Sequence, residues 1–370
     1  MFFAIFAYKF VIVKVVHVIE ALGGGVYTYF KDLSYFFGDS GKAQGIETYI
    51  IYSGNRKEID PGKIKEAFSP NVTLIEIPMK KEISPLDDIK GTFKLYKALK
   101  KLNPDVIHLH SSKAGVLGRI AHFFLFNKKK LFYTPHGYYF LRTDISKTKQ
   151  TIYRLIEKYS QVIFGGTTIA CGDTEYYIAK SMGKAALIRN GIIVPESNVY
   201  KAPTTGTRLK VGIIGRITCA KAPTMFNEIA LKFPDFDFIW IGDGEMRNVL
   251  TATNISITGW FHEASKVSQY LDTLDIYLQT SLWEGLPIAV LEAMALQKPV
   301  VATNVIGNKD IVIHNKTGFL FDSVSELDDY FETLNDEATR RSFGINGYER
   351  CKAVFNIDTN FKELAALYLQ

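Results

Sequence analysis

Short apolar runs alternate along the chain with longer stretches in which apolar residues recur every three or four positions. The runs predict buried strands, and the longer stretches predict amphipathic helices, for example over residues 89–102 and 116–126. The predicted strands cover residues 15–19, 47–52, 72–77, 106–109, 131–134, 168–171, 186–188, 210–214, 237–241, 255–258, 276–279 and 299–303. Continuous apolar strands separated by helices indicate parallel sheets that helices cover on both faces.

Residues 193–208 interrupt this alternation with two prolines, small polar residues and no periodicity, which is typical of a linker. The chain of 370 residues also suits two domains of ~100–200 residues each. We therefore predict an α/β fold of two doubly wound, Rossmann-like parallel-sheet domains, residues 1–195 and 208–352, that face each other across a cleft. In such sheets ligands bind beyond the carboxyl ends of the strands.

The apolar beginning of the chain, residues 1–18, is interrupted by Lys9 and Lys14. It is shorter than the ~20 apolar residues of a membrane span and lacks the basic start and cleavage site of a signal peptide. We interpret residues 14–19 as the first strand and residues 1–13 as an extension from an upstream start codon or an interfacial anchor. The three scattered cysteines show no metal-ligand spacing and favour a reducing cytoplasm.

The net charge of +6 is unevenly distributed, with 28 basic and 17 acidic residues before residue 201 and 16 and 21 after it. A basic half suits a nucleic acid, an anionic membrane or an ordinary solvated surface. No interleaving of aromatic and basic residues marks a strand-binding face, so we expect no nucleic-acid partner. Residues 122–130, with three phenylalanines before three lysines, suit peripheral contact with an anionic membrane, or a plain helix end with a basic turn.

Three features of the first domain lie at predicted strand ends. Gly23, Gly24 and Gly25 let backbone N–H groups approach a phosphate or sugar, although a tight turn also explains them. We expect His108 and His110, at the end of the fourth strand, to point to opposite faces, with His110 in the donor site. His136 follows the fifth strand between a proline and a glycine, where a doubly wound sheet binds its ligand.

The second domain opens with a strand that ends at Gly215 and Arg216, and Lys221 follows at the predicted start of a helix. Two cations beside a helix N-terminus form a clamp for a pyrophosphate, whereas surface cations are the alternative. The next strand ends in a glycine-flanked acidic turn that could close over a nucleoside. Its residues are Gly242, Gly244 and Glu245.

The strongest segment runs from Glu284 to Glu292, with the sequence EGLPIAVLE. Gly285, Leu286 and Pro287 form a turn before a helix, and Glu292 lies on that helix among apolar residues. A carboxylate there requires a partner, for which sugar or ribose hydroxyls are suitable. Asp235-Phe-Asp237 has a metal-binding form but stands at the entrance of a strand. We therefore predict no metal site and no cofactor.

These motifs resemble family 4 of the retaining glycosyltransferases, which have the B-type fold, and residues 108–115 resemble bacterial members that build surface polysaccharides. The resemblance implies that Glu284 binds the donor sugar with the backbone of residues 285–287, and that Glu292 binds the ribose. Arg216 and Lys221 would neutralise the pyrophosphate, Gly24 would lie beside it, and His136 would lie near sugar and acceptor. We further assign Asn190 to the donor site. Ala222 departs from the family, which has glycine there.

The resemblance also implies a function. A hexose-type sugar would pass from a nucleotide-sugar, most commonly a UDP-sugar, to a lipid-linked or saccharide acceptor with retention of configuration. His136, Arg216, Lys221 and Glu284 would form the catalytic set, without a metal, in the cytoplasm or at the inner face of its membrane. The C-terminal helix, from about residue 353, would return to the first domain. A sugar-nucleotide 2-epimerase and an inactive partner subunit that binds nucleotide-sugar remain alternatives.

Overall fold

The computed structural model describes residues 12–20, 22–39, 41–54, 61–80, 83–126, 129–196, 208–261 and 264–370. The predictions for residues 1–11 and for most of the 193–208 linker lie outside these ranges. Within them, no helix combines the length and apolar character that crossing a bilayer requires.

The strands form two sheets. The first contains Val13–Ile19 (β1), Ile46–Tyr52 (β2), Thr73–Glu76 (β3), Val106–His110 (β4), Lys130–Thr134 (β5), Thr167–Ala170 (β6) and Ala185–Leu187 (β7). The second contains Lys210–Ile214 (β8), Asp237–Ile241 (β9), Ile255–Ile257 (β10), Ile276–Gln279 (β11), Val300–Thr303 (β12) and Gly318–Phe321 (β13).

The α-helices connect these strands. They are Gly25–Gly38 (α1), Pro61–Ala67 (α2), Pro85–Leu102 (α3), Ser112–Phe123 (α4), Lys147–Phe164 (α5), Asp173–Met182 (α6), Pro223–Lys232 (α7), Ala264–Asp272 (α8), Ile288–Ala295 (α9), Asn308–Ile311 (α10), Leu327–Asn335 (α11), Glu337–Val354 (α12) and Ile357–Leu369 (α13).

Both sheets have the order of a doubly wound fold, β3-β2-β1-β4-β5-β6-β7 and β10-β9-β8-β11-β12-β13. The strands pair in parallel, for example β1 with β2 and β4, and β8 with β9 and β11. In each sheet the chain first adds strands on one side of its first strand, β1 or β8, and then on the other side. Folds of this kind bind ligands beside the strand at which this order reverses. The predicted architecture of two Rossmann-like sheets is therefore confirmed.

The chain divides into two compact units. Residues 1–134, 160–168 and 361–370 form the first unit, and residues 135–159 and 169–360 form the second. Residues 361–369 of α13 and Gln370 thus belong to the first unit, where Phe361, Leu364 and Tyr368 are buried. The boundaries that we predicted at residues 195 and 208 remain a prediction.

The core of the first unit contains three histidines on one face of its sheet. His17, His108 and His110 are fully buried, and the rings of His108 and His110 are 4.0 Å apart. The expectation that His108 and His110 point to opposite faces is wrong, because residues two apart on a strand share a face. His17 Nδ1 and His110 Nε2 are 3.0 Å apart, while His108 bonds Thr134 Oγ1 and the Tyr368 hydroxyl.

Candidate active site

The loops that follow strands of the second unit bring most of the predicted residues together. Lys221 ends a 3₁₀ turn over Cys219–Lys221, directly before α7. Its Nζ atom lies 2.7 Å from Glu284 Oε1, and both side chains are mostly buried. The predicted pyrophosphate cation and the predicted sugar-binding carboxylate are therefore a preformed ion pair.

Polar side chains from β11 and the turn after it hold Glu284 in place. Gln279 Nε2 and Ser281 Oγ donate to Glu284 Oε1 over 2.9 and 2.6 Å. The turn also holds the lysine segment, because Thr280 Oγ1 donates to the Lys221 carbonyl and the Leu282 N–H donates to the Ala220 carbonyl. A carboxylate with this many donors is oriented before any ligand arrives.

Sequence reasoning missed Gln279 and Ser281. Nothing local in the sequence singled them out, and the structure shows Gln279 fully buried at the end of an otherwise apolar strand.

Backbone contacts between glycines bring His136 beside the Glu284 turn. A Cβ atom on Gly285 would lie 2.8 Å from the backbone of His136 and Gly137, and one on Gly307 would lie 2.5 Å from the Gly285 carbonyl. Gly307 (φ 87°), in the loop after β12, was not predicted. Its position after a strand was the signal that could have identified it. Three chain segments meet here at distances that only glycine permits.

His136 itself adopts a left-handed conformation, with φ 53°. Such conformations are costly for residues other than glycine and concentrate at functional sites. Burial lowers the pKa of His136 to about 3, so its imidazole is neutral at physiological pH.

A buried carboxylate supports the His136 loop. Glu175 on α6 is 1% exposed, and it accepts the Gly137 N–H at 2.9 Å and the Cys171 N–H at 2.7 Å. Burial raises the pKa of Glu175. Beside it, Thr174 donates through its backbone and hydroxyl to Asp310 of α10. The start of α6 therefore holds both the His136 loop and the helix after Gly307, and the sequence did not reveal this.

The loops after β8 and β9 are joined by their backbones. A Cβ on Gly242 would lie 2.3 Å from the Gly215 carbonyl, and one on Gly244 would lie 2.5 Å from the Ile217 carbonyl. Gly215 (φ 143°) in turn lies against the Lys221 side chain, because a Cβ there would be 3.1 Å from Lys221 Cε. These glycines permit the close approach that holds Lys221 in position.

The other predicted residues of this unit lie around these loops. Arg216 pairs with Glu245 at 3.1 Å, and both side chains are about half exposed. Glu292 is half-buried on α9, and it contributes with Glu284 to the raised pKa of Tyr277, of which burial is the main cause. Leu286 is buried, and Pro287 precedes the first residue of α9. Asn190 is buried, and its N–H donates to the Cys171 carbonyl.

The remaining predicted donor residues lie in the first unit. Gly24, with φ 56°, precedes α1, and the space around its Cβ position is open. Gly23 and Gly25 flank it. His110 is enclosed in the histidine cluster, which separates its ring from solvent. The donor-binding roles of all these residues stay predictions.

The candidate metal motif lies at the entrance of its strand. Asp237 begins β9, and its carboxylate is 3.5 Å from Arg208 Nε. Among the described residues, the three histidines of the first unit are the group whose ligand atoms lie within 4.8 Å of one another. Hydrogen bonds to one another, to Thr134 and to Tyr368 already engage these rings.

Two family descriptions match the chain. Glycosyltransferase Family 4 matches residues 23–193, and Glycosyl transferases group 1 matches residues 208–336. Together they cover most of the described chain.

Several curated relatives are named for bacterial surface-polysaccharide synthesis. The chain is 28% identical to an Escherichia coli UDP-Gal:alpha-D-GlcNAc-diphosphoundecaprenol alpha-1,3-galactosyltransferase, over 84% of this chain and 87% of that protein. It is 26% identical to the capsular polysaccharide biosynthesis glycosyltransferase CapM of Staphylococcus aureus, over 79% and 83%.

Solved structures share the fold. Sucrose-phosphate synthase from Thermosynechococcus elongatus aligns with a TM-score of 0.77 and 19% identity, over 96% of this chain and 98% of that one. With its two parallel Rossmann-like sheets and these relatives, the chain belongs to the family 4 glycosyltransferases of B-type fold, among the enzymes of bacterial cell-surface polysaccharide synthesis.

Proposed function

We propose that this glycosyltransferase moves a hexose from a UDP-sugar to a lipid-linked saccharide with retention of configuration. The ion pair of Lys221 with Glu284 carries the proposal, because it sets an ammonium and an oriented carboxylate side by side at the ends of parallel strands. Hydroxyls of a sugar would donate to the carboxylate, and a diphosphate would approach the ammonium. The galactosyltransferase relative, named for a UDP-sugar donor and a diphosphoundecaprenol acceptor, supports these substrate classes.

The transfer requires stabilisation of charge at both ends of the breaking bond. The bond between the anomeric carbon and the UDP oxygen breaks, and the acceptor oxygen bonds to the same face of that carbon. The acceptor proton passes to the departing phosphate. Lys221 and Arg216 would stabilise the negative charge that grows on this phosphate. Such electrostatic stabilisation of the transition state is usually the largest contribution to catalysis. We propose that these cations make a metal ion unnecessary.

Two other residues would act on the sugar. Neutral His136, fixed by its strained backbone and by Glu175, would hydrogen-bond the sugar or acceptor and would not serve as a cation. Glu292 would bind the ribose. We propose that the reaction takes place in the cytoplasm, at the inner face of the membrane that carries the acceptor.

The test is release of UDP from UDP-hexoses incubated with extracted lipid-linked acceptors, with and without EDTA. We expect acceptor-dependent UDP release that EDTA leaves unchanged. Lys221→Ala should lower turnover by roughly 10²–10³ at saturating donor, as loss of one charge-stabilising group does.

A Lys232→Ala variant is the control, because that lysine lies on α7 and pairs with Asp328. Wild-type turnover in Lys221→Ala would refute the role of the ion pair. Conversion of the UDP-sugar without any acceptor would instead favour the 2-epimerase, and absence of UDP release with every acceptor would favour an inactive subunit.

A further inference from the structure

Helix α5 presents a continuous apolar stripe to solvent. Its members recur at positions i, i+3, i+4, i+7, i+10 and i+11, so they share one helix face. They are Ile152, Leu155, Ile156, Tyr159, Val162 and Ile163, which are 38–64% exposed. On a soluble protein a stripe of this length usually covers a core, and an exposed one marks an interaction surface.

The remainder of α5 is basic. Lys147, Lys149, Arg154 and Lys158 accompany one acidic residue, Glu157, and that glutamate is buried. An apolar face beside a lysine- and arginine-rich face is the pattern of a helix that lies in the interface of an anionic bilayer. Two copies of α5 paired through this stripe would instead bring like charges together, which disfavours self-association.

A second apolar surface lies between α3 and α4. The two helices enclose a groove of about 760 Å³. Its lining includes Ile89, Phe93, Tyr96, Ile120, Phe124 and Phe126. Phe93, Phe124 and Phe126 are 55%, 51% and 86% exposed, so the groove opens to solvent.

Lysines border this groove as well. Lys97 Nζ lies 4.4 Å from the centroid of the Phe93 ring, and Lys100 Nζ lies 5.7 Å from that of Tyr96. Both acidic residues of α3 are engaged, Asp87 with Lys80 and Asp88 with Lys113. Lysine stems can lie along apolar surface while their ammonium groups reach lipid phosphates.

Aromatic contacts within the first unit join the groove to the end of α5. The ring centroid of Phe123, at the end of α4, is 5.6 Å from that of Phe164, the last residue of α5. Phe123 also contacts Phe124 and Phe126 at 5.6 and 6.5 Å. Within the first unit, the apolar surface is therefore continuous from the last residues of α5, 162–164, to the α3–α4 groove.

We infer that Val162 and Ile163 of α5, residues 123–126 and the α3–α4 groove, which all lie in the first unit, form one surface that lies on an anionic lipid bilayer. The inference rests on the proposed function in one respect, since a lipid-linked acceptor would be present in such a bilayer. Apolar side chains enter the boundary between headgroups and acyl chains, and the flanking lysines contact headgroup phosphates. The surface is more extensive than the phenylalanine-rich segment that the sequence indicated.

Flotation with lipid vesicles tests this surface. The full-length protein should float with phosphatidylcholine vesicles that contain about one third phosphatidylglycerol, bind vesicles of phosphatidylcholine alone much less, and dissociate as salt rises. The double variant V162E/I163E should lower the vesicle-bound fraction about tenfold or more, because two anchoring side chains are replaced by anions. Both residues are exposed, so their loss should leave the fold intact, which the thermal midpoint of unfolding verifies.

Leu231→Glu is the matched control, since Leu231 is 62% exposed on α7 and outside the surface. It should float like the wild type. Equal flotation of V162E/I163E and wild type would overturn the assigned surface, as would a wild-type dimer that V162E/I163E dissociates without a change in flotation. A wild-type protein that does not float would overturn the bilayer inference. UDP release with detergent-solubilised acceptor would still decide the proposed function in that case.

Discussion

Ala222 carries backbone strain that a glycine would not. It adopts φ 46°, directly after Lys221 and before the first residue of α7. A left-handed conformation costs a residue with a Cβ atom roughly 1–2 kcal/mol, and glycine carries almost none of this cost. We therefore expect Ala222→Gly to raise the free energy of unfolding by about 1 kcal/mol, measured by urea denaturation.

The control is Ala230→Gly in the last turn of α7, which should destabilise the protein, because glycine is a poor helix former and Ala230 is buried. A loss of stability in Ala222→Gly would show that strain at this position is absent.

Glu175 should position His136 without touching substrate. Glu175→Gln replaces one of two acceptor oxygens by an N–H donor, so one of the two backbone N–H groups loses its partner. An unsatisfied buried group costs about 1–3 kcal/mol, and we expect this cost to appear as displacement of the His136 loop. Turnover should therefore fall about tenfold or more while the KM for donor changes little.

The exposed Glu228→Gln on α7 is the comparison variant. An unchanged kcat in Glu175→Gln would contradict the proposal that Glu175 positions His136.

At the residue scale, the sequence predicted individual chemical groups better than their partners. Glu284 and Lys221 were identified because a carboxylate in a turn and a lysine before a helix carry a local signal. Their contact at 2.7 Å joins two residues that are 63 positions apart in sequence. The donors from Gln279 and Ser281 and the support from Glu175 were invisible for the same reason, since nothing local distinguishes a site partner from another polar residue.

At the scale of elements, buried parallel strands were predicted nearly to their ends, because both faces of such strands are apolar. The missed strand, β13, has four residues and begins with a glycine, which resembles a turn. The predicted helix over 116–126 is observed at Ser112–Phe123. The phenylalanines at the end of this helix extend the apolar pattern in the sequence past its last residue. They are exposed, so this part of the pattern does not indicate a buried helix face.

The histidine cluster of β1 and β4 gives the protein acid sensitivity. Burial lowers the pKa of His17 from 6.5 to about 3. Between these values the unfolded chain binds a proton that the folded chain does not, so stability rises with pH in this window and falls on acidification. Acidification from pH 7 to pH 5 should lower the free energy of unfolding by about 2 kcal/mol through protonation of this histidine in the unfolded chain.

His17→Asn should flatten that dependence in urea unfolding curves recorded across the same pH range. The exposed Thr224→Asn, which changes no titratable group, should leave the slope as in the wild type. If the free energy of unfolding of His17→Asn depended on pH as steeply as that of the wild type, this would contradict the inference that the buried His17 imidazole is neutral.

At the scale of the whole molecule, the first unit depends on residues 361–370. A chain that ends at Asn360 lacks the buried side chains of Phe361, Leu364 and Tyr368. Each such side chain contributes about 1.5–3 kcal/mol on burial, so the truncated first unit should unfold at a much lower urea concentration. All three tryptophans, Trp240, Trp260 and Trp283, lie in the second unit.

Tryptophan fluorescence therefore reports the second unit, and circular dichroism reports both. We expect truncation to shift an early transition in circular dichroism and to leave the fluorescence transition in place. The milder Tyr368→Phe variant, which removes the hydroxyl that bonds His108, should shift the early transition in the same direction by less. A truncated chain with unchanged circular dichroism would argue against this dependence.

The return of residues 361–370 to the first unit also sets the order of events during translation. Residues 1–134 leave the ribosome early, yet the helix that covers their histidine face is made last among the described residues. At ~5–20 residues per second, this part of the nascent chain waits on the order of ten seconds or longer with an apolar face open. The unit synthesised first is thus completed after the second, and chaperones have their longest access to the segment nearest the beginning of the chain.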